Sequence, residues 1–216
     1  MQIKKLFKEF DTLQKLHGDK NLDAICGSGN INNPDICLVF MNPTARNVAS
    51  SKSWKGIKAP WLGTKNVWNM FFHLGLLNEK IVNEINSKKS NDWDYKFAED
   101  VYKEVSSNSI YITNLSKATQ IDARPLPDKV FKEYLDIFKC EIDIIKPKII
   151  ITFGNQVSSV LLNKNIKVGE YRKKFDELKI NNVTYKVFPV YYPVGQGMRN
   201  IKIAKEDIGW ILKNFI

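Results

Sequence analysis

Short apolar runs alternate with amphipathic segments along most of the chain. Residues 36–40 (Ile-Cys-Leu-Val-Phe) form a continuous apolar run that predicts a buried strand, and the runs at 109–113 and 148–153 predict two more. Apolar residues recur every three or four positions in the intervening segments, which predicts amphipathic helices. These predicted helices begin at Ile3, span 67–77, include Phe97 to Val105, span 128–145 and 155–162, and begin again near Arg199.

A β-rich stretch at 171–190 predicts a hairpin that turns at Asn181-Asn182 and whose second arm is the last strand of the sheet. Strands that alternate with helices indicate a parallel sheet covered on both faces. We therefore predict an α/β fold, a three-layer α/β/α sandwich with a mainly parallel, roughly four-stranded central sheet. No linker or repeat interrupts the 216 residues, so we expect a single domain over 1–216.

Polar or aromatic clusters follow three of the predicted strands. Asn42-Pro43 follows the first, Asn114 to Lys117 follow the second, and Tyr191-Tyr192-Pro193 follow the last. The carboxyl ends of parallel strands meet at one edge of a sheet, where ligands of α/β proteins bind. The pattern predicts an active site there, although an Asx-Pro turn is also common as a purely structural strand end.

A basic, tryptophan-containing segment links the first predicted strand to the next helix. Residues 44–68 contain no acid, the cations Arg46, Lys52, Lys55, Lys58 and Lys65, and the indoles Trp54, Trp61 and Trp68. Cations neutralise phosphates and indoles stack on exposed bases, so the segment, with a net charge of +10 for the chain, favours a nucleic-acid partner. The alternative is a solvated loop anchored by its tryptophans. Trp68, at a helix start, is predicted to lie in the core.

Other classes of site find little support. Cys26, Cys37 and Cys140 are far apart and fit no metal motif, and only two histidines are present. Phosphate-binding loops and nucleophile elbows are missing from the sequence. No secretory core or membrane-length apolar run occurs, so we expect a cytoplasmic protein with reduced, buried thiols.

Five segments, taken in chain order, resemble motifs of the uracil-DNA glycosylase superfamily. They are residues 40–44 (Phe-Met-Asn-Pro-Thr), 56–63, 111–117, 146–154 and 188–194. Asparagine at position 42 is similar to the mismatch-specific branch. The chain departs from the pattern at Phe40, where members have glycine, at Tyr192, where many have the histidine that stabilises the departing base, and at Val194, where serine is usual.

The resemblance implies a monofunctional DNA glycosylase that flips a deaminated base, most simply uracil, and hydrolyses its N-glycosidic bond. Asn42 would orient the attacking water, with Tyr192 at the position of the leaving-group residue. The base would be bound by Met41, Trp61 and Asn114. The residues assigned to DNA binding are Arg46, Lys52, Lys55, Lys58, Lys117, Met198 and Arg199.

The implied partner is DNA that contains a deaminated base, bound by a monomer that needs no cofactor. Three cysteines at unrelated spacings also predict that the iron–sulfur cluster of some members is missing. Two alternatives stay open: a catalytically weak nucleic-acid-binding protein on the same fold, favoured by the missing histidine, and a nucleoside or nucleotide hydrolase that uses the same sheet edge.

Overall fold

A six-stranded sheet forms the centre of the computed structural model, which describes residues 3–124 and 126–216. The strands are β1 (Ser28–Gly29), β2 (Ile36–Phe40), β3 (Ile110–Asn114), β4 (Ile149–Phe153), β5 (Asp176–Ile180) and β6 (Val183–Val190). The α-helices of the described residues are α1 (Ile3–His17), α2 (Asn66–His73), α3 (Glu79–Ser87), α4 (Tyr95–Ser107), α5 (Asp128–Glu133), α6 (Leu135–Ile145), α7 (Asn155–Leu162) and α8 (Ile201–Phe215).

The strand order β1-β3-β2-β4-β6-β5 confirms a mainly parallel α/β sheet. β3, β2, β4 and β6 run parallel, and β1 and β5 pair antiparallel at the two outer edges. The prediction of roughly four strands therefore counted only the parallel core. β5 is the first arm of the predicted hairpin, which turns at Asn181 with a left-handed φ of 51°. β1 has two residues, too few to produce an apolar run.

Helices cover both faces of the sheet because successive strand residues point to opposite sides. In β2, Leu38 and Phe40 belong to one core, which we call the front face, whereas Cys37 and Val39 belong to the other, the back face. α2, α3, α4 and α8 contribute to the front core, and α5, α6 and α7 to the back core. The arrangement is the predicted three-layer sandwich.

Most predicted helices are observed with small changes in their bounds. α7 has the predicted bounds, and α1 ends at His17. The helix predicted at 128–145 is divided into α5 and α6, because the Tyr134 N–H donates to the Phe131 carbonyl in a tight turn. α3 was not predicted, since only three of its nine residues are apolar. Its first turn is capped by Asn78, whose side chain accepts a hydrogen bond from the Ile81 N–H.

The three thiols are free, and two of them are buried as predicted. Cys140 is exposed on α6, so the expectation of buried thiols is wrong for that residue. Burial raises the pKa of Cys26 to about 12 and that of Cys37 well above its ordinary value. None of the helices in the described segments has the length and apolar character needed to cross a bilayer.

Candidate active site

The carboxyl ends of the parallel strands bring the predicted motifs to one edge of the sheet. Phe40, at the end of β2, is the register partner of Asn114, at the end of β3. The pairing continues past both strands, since the Ser116 N–H donates to the Met41 carbonyl at 3.0 Å. β4 and β6 run in the same direction and end on the same side. The segments that contain Asn42, Asn114 and Tyr192 therefore share this edge, as predicted.

Asn42 places an unpaired acceptor at the edge. Its side chain is almost fully buried, and its Nδ2 donates to the Pro43 carbonyl at 3.2 Å. The Oδ1 atom is buried and accepts no hydrogen bond from the residues that the structure describes. Leaving a buried acceptor unpaired costs about 1 to 3 kcal/mol, so this oxygen favours a bound donor. A water molecule or a ligand hydroxyl would satisfy it.

Asn114 lies beside Phe40, and its side-chain amide has no hydrogen-bond partner among the described residues. Alternation along β3 and its register with Phe40 put the Asn114 side chain on the front face. The Lys117 ammonium donates to its backbone carbonyl. The carboxamide itself makes no hydrogen bond within the described part of the chain. An amide with both a donor and an acceptor free is suited to reading a polar ligand edge.

Four rings form an aromatic group on the front face next to these amides. Phe40 stacks on Phe153, with ring centroids 4.2 Å apart and planes 8° apart. Trp61 meets the Phe40 ring edge-on at 4.8 Å, and Tyr192 meets it at 6.1 Å. We call Phe40, Trp61, Phe153 and Tyr192 the front aromatic group. Phe40, where the resembling motif has glycine, is thus a core residue that supports Trp61 and Tyr192.

Close glycine contacts hold Tyr192 in this group. A Cβ on Gly197 would lie 1.9 Å from the Tyr192 carbonyl oxygen, so only glycine fits there. Gly154, with a φ of 90°, also passes close to the Tyr192 side chain. Burial raises the pKa of the Tyr192 hydroxyl above its ordinary value. The hydroxyl therefore stays protonated at neutral pH and can donate a hydrogen bond.

Trp61 is presented by a strained turn. It adopts a left-handed φ of 65°, and Gly63 follows with a φ of 82°. The Trp61 carbonyl accepts hydrogen bonds from the Trp68 indole at 3.1 Å and from the Thr64 hydroxyl at 2.7 Å. Trp68 is fully buried, which confirms its predicted place in the core. Trp61 is half-buried, so it is less enclosed than Trp68.

The basic loop, residues 44–68, is organised by Asn47, which the sequence did not single out. The Asn47 Oδ1 accepts from the Ala49 N–H at 3.0 Å, and its Nδ2 donates to the Ala59 carbonyl at 2.8 Å. The first bond caps the short turn after Asn47, and the second ties the two arms of the loop together. The signal in the sequence, an Asn before a short polar turn, is too common to identify such a role.

The cations of the basic loop differ in their availability. Arg46, Lys52 and Lys55 are exposed, and the Lys52 ammonium donates to a backbone carbonyl at 2.6 Å. Lys58 instead bonds Asp23 at 2.8 Å and two loop carbonyls at 2.9 and 3.0 Å. All three of its donors are used, so Lys58 serves the loop structure, and its contact with DNA stays a prediction.

Lys117, by contrast, is misassigned as a DNA contact. Its side chain is fully buried, and its ammonium lies 2.6 Å from a Glu141 oxygen. No phosphate can reach it. Glu141 was missed, although a charged residue among the apolar positions of a predicted helix is a recognisable signal.

Met198 and Arg199 lie on the turn before α8. Both are exposed, with Met198 41% exposed, and its sulfur is 4.0 Å from the Asn66 amide nitrogen at the start of α2. Gly197, which packs on Tyr192, connects this turn to the front aromatic group. The turn thus projects from the same edge as the candidate site.

Carboxylates and thiols do not cluster at this edge. Within residues 3–124 and 126–216, no group of three or more His, Cys, Asp or Glu side chains could hold a metal ion. Asn42, Asn114 and Tyr192 supply polar side-chain atoms at the edge.

Comparison with protein families gives a match to the model of the Uracil DNA glycosylase superfamily over residues 26–209. The chain belongs to this superfamily. Curated protein sequences give no significant match. The uracil-DNA glycosylase match covers all six strands and both asparagines. Members of the superfamily are typically DNA glycosylases, hydrolases that act on bases in DNA.

Proposed function

We propose that this member of the superfamily is a monofunctional DNA glycosylase that removes a flipped, deaminated base, most simply uracil. The observation that carries the proposal is the meeting of two asparagine side chains with free hydrogen-bonding groups, Asn42 and Asn114, beside the front aromatic group at the carboxyl edge of the sheet. Base flipping is required because a glycosidic bond inside the stack is out of reach, and unstacking costs a few kcal/mol.

Asn42 acts on the water. Its free Oδ1 accepts one water hydrogen and turns a water lone pair toward C1′ of the flipped nucleotide. A neutral amide is a poor general base, so the C1′–N bond must be largely broken, with positive charge on the sugar, before the water adds. The base leaves with the bonding electron pair as an anion, the water oxygen forms the new C1′–O bond, and the proton that this oxygen releases goes to the departed base through solvent.

Asn114, Trp61 and Tyr192 act on the base. The Asn114 carboxamide pairs with the polar edge of the base, and the Trp61 ring stacks on its face. Met41, which the resemblance places at the base, packs instead against the back core, so it is given no part in base binding. The protonated Tyr192 hydroxyl donates to the base as negative charge develops, a weaker aid than a cation.

DNA is held by the exposed cations and by the turn before α8. Arg46, Lys52 and Lys55 neutralise phosphates, and Met198 with Arg199 contacts the duplex where the base has left. Incubation with labelled oligonucleotides, each with a single uracil, hypoxanthine or xanthine, followed by alkaline cleavage tests the proposal. Strand breaks at one lesion, and none with Asn42→Ala, are expected; no breaks at any lesion would contradict it.

A second candidate is a protein that binds such DNA without cleaving it. Tyr192 in place of a histidine favours this function, because the departing base then meets no cationic donor. Tight, salt-dependent binding to lesion DNA with no cleavage over long incubation would support it.

A further inference from the structure

A buried polar network lies directly behind Asn114 on the back face. The Lys117 ammonium and Glu141 carboxylate are 2.6 Å apart, and their side chains are 0% and 1% exposed. Glu141 Oε1 accepts hydrogen bonds from the Tyr111 hydroxyl at 2.8 Å and the Thr113 hydroxyl at 2.9 Å. The ammonium also donates to Thr113 Oγ1 at 2.8 Å and to the Asn114 carbonyl. All three ammonium donors are used.

The network fixes one peptide unit of the candidate site, the one between Asn114 and Leu115. The peptide that joins Asn114 to Leu115 has its carbonyl held by Lys117, and its N–H donates to the Phe40 carbonyl at 2.8 Å. A peptide plane fixed at both ends cannot rotate. Pairing of β3 with β2 fixes the backbone before Asn114, and this peptide fixes the backbone after it, so the direction in which the side chain leaves the backbone on the front face is set.

Folding alone does not explain this pair. Desolvation of two buried charges offsets most of their attraction, and apolar replacements of a buried pair are often neutral or stabilising. The ammonium also lies 5.0 Å from the Phe10 ring and 5.5 Å from the Phe138 ring, so apolar surroundings for a different side chain are already present. What an apolar pair would lack is the bond to the Asn114 carbonyl.

We infer that Lys117 and Glu141 are positioning residues, which fix the Asn114 peptide from behind and thereby aim its carboxamide at the flipped base. The inference rests on the proposed function, which assigns base recognition to Asn114. Neither residue touches DNA.

The double variant Lys117→Met/Glu141→Gln tests the inference. Glutamine keeps the acceptor for Tyr111 and Thr113, and no unpaired charge is left behind, so the variant is expected to fold. The matched control is Arg172→Met/Asp207→Asn. It removes an ion pair of 3.0 Å whose carboxylate is also buried, at a place that does not contact Asn114.

Three quantities are measured for both double variants and the parent. They are the melting temperature, the hydrogen exchange of the Leu115 amide, and the lesion ratio, which is kcat/KM for the best-cleaved lesion divided by kcat/KM for the second-best. We expect the first double variant to melt near the parent, to exchange Leu115 faster and to show a lesion ratio about tenfold lower, as when a polar contact to substrate is misplaced. The control should change neither the exchange nor the ratio.

Other outcomes overturn either the inference or the proposed function. An unchanged lesion ratio and unchanged exchange, or equal decreases in the control, would mean that the network only stabilises the fold. If the parent cleaves no lesion at all, the proposed function fails. The Leu115 exchange rate of the first double variant, compared with the parent, then shows on its own whether the network fixes the peptide.

Discussion

Phe40 and Asn114 sit opposite each other at the ends of two neighbouring parallel strands, and their side chains lie on the same face of the sheet. One is an apolar ring in the centre of an aromatic group, and the other is a carboxamide with no partner among the described residues. The pair places the front aromatic group, whose Trp61 and Tyr192 rings are only half-buried, beside a polar recognition group. A purine or pyrimidine matches these two groups, because it has flat faces that stack on aromatic rings and a polar edge that forms hydrogen bonds.

Asn42→Ala is expected to lower the excision rate by at least about a hundredfold, because the water then loses the group that orients it. DNA affinity should stay within a few-fold, since the effect is confined to the transition state. Single-turnover rates and anisotropy titrations measure the two quantities. The control Asn42→Asp, which keeps an acceptor at the same position, should retain activity. Full activity of the alanine variant would remove Asn42 from the mechanism.

Trp61→Ala is expected to weaken capture of the flipped base by about 1 to 3 kcal/mol, the usual range for base stacking on an aromatic ring. The readout is the affinity for an uncleavable lesion duplex compared with an undamaged duplex. Trp54→Ala is the control in the same loop, because the Trp54 indole already donates to the Ile57 carbonyl. A fall in melting temperature with unchanged lesion affinity would show that Trp61 is only a core residue.

Tyr192→His should accelerate uracil excision, since a cationic donor contributes about 1.5 to 3 kcal/mol to a charged partner, roughly ten- to a hundredfold in rate. It should also introduce a pH dependence near the ordinary histidine pKa of about 6.5. The parent should show no tyrosine inflection below pH 10, because burial raises the Tyr192 pKa. Tyr192→Phe should be slower than the parent. A phenylalanine variant as fast as the parent would exclude the hydroxyl from base departure.

Neutralising Arg46, Lys52 and Lys55 together with glutamine should flatten the dependence of DNA affinity on salt, by about 0.9 in the log–log slope for each phosphate interaction that the substitutions remove. Glutamine at Lys132, which is exposed on α5, should leave the slope unchanged. Lys58→Gln should instead lower the melting temperature, because it breaks the bond to Asp23. An identical slope for the triple variant would place the basic loop away from DNA.

Buried tyrosines predict a loss of stability in alkali. Burial raises the pKa of Tyr102, Tyr111 and Tyr192. Above pH 10 the unfolded chain releases these protons while the folded chain keeps them, so the free energy of unfolding falls as pH rises. Urea titrations at pH 8 and pH 10.5 measure the fall. Tyr102→Phe should reduce it, whereas Tyr95→Phe, at an exposed position, should not.

The central strands could be predicted because every residue of β2, β3 and β4 is buried, which leaves a nearly unbroken apolar run in the sequence. The common direction of parallel strands is then enough to place Asn42 and Asn114 at one edge. β1 and α3 could not be predicted in the same way, because a two-residue strand and a helix with three apolar residues give no clear period.

The role of each lysine could not be predicted. Lys117 and Glu141 are 24 residues apart, and only the packing of α6 on the back face brings them together. Lys58 bonds Asp23, which lies 35 residues earlier in the chain, on the other side of β2. The sequence does not distinguish an exposed lysine from a buried one. Only the fold decides which lysines are accessible to a phosphate.

The unequal thiols offer a practical route to watching DNA approach. Alkylating dyes react with thiolates, and Cys140 is exposed whereas Cys26 and Cys37 are buried with raised pKa values. A maleimide fluorophore should therefore attach at Cys140 alone, without any engineered cysteine. α6 covers the back face, so the dye would sit across the sheet from the front aromatic group. Energy transfer to a dye on an oligonucleotide would then report binding from a position that does not obstruct it.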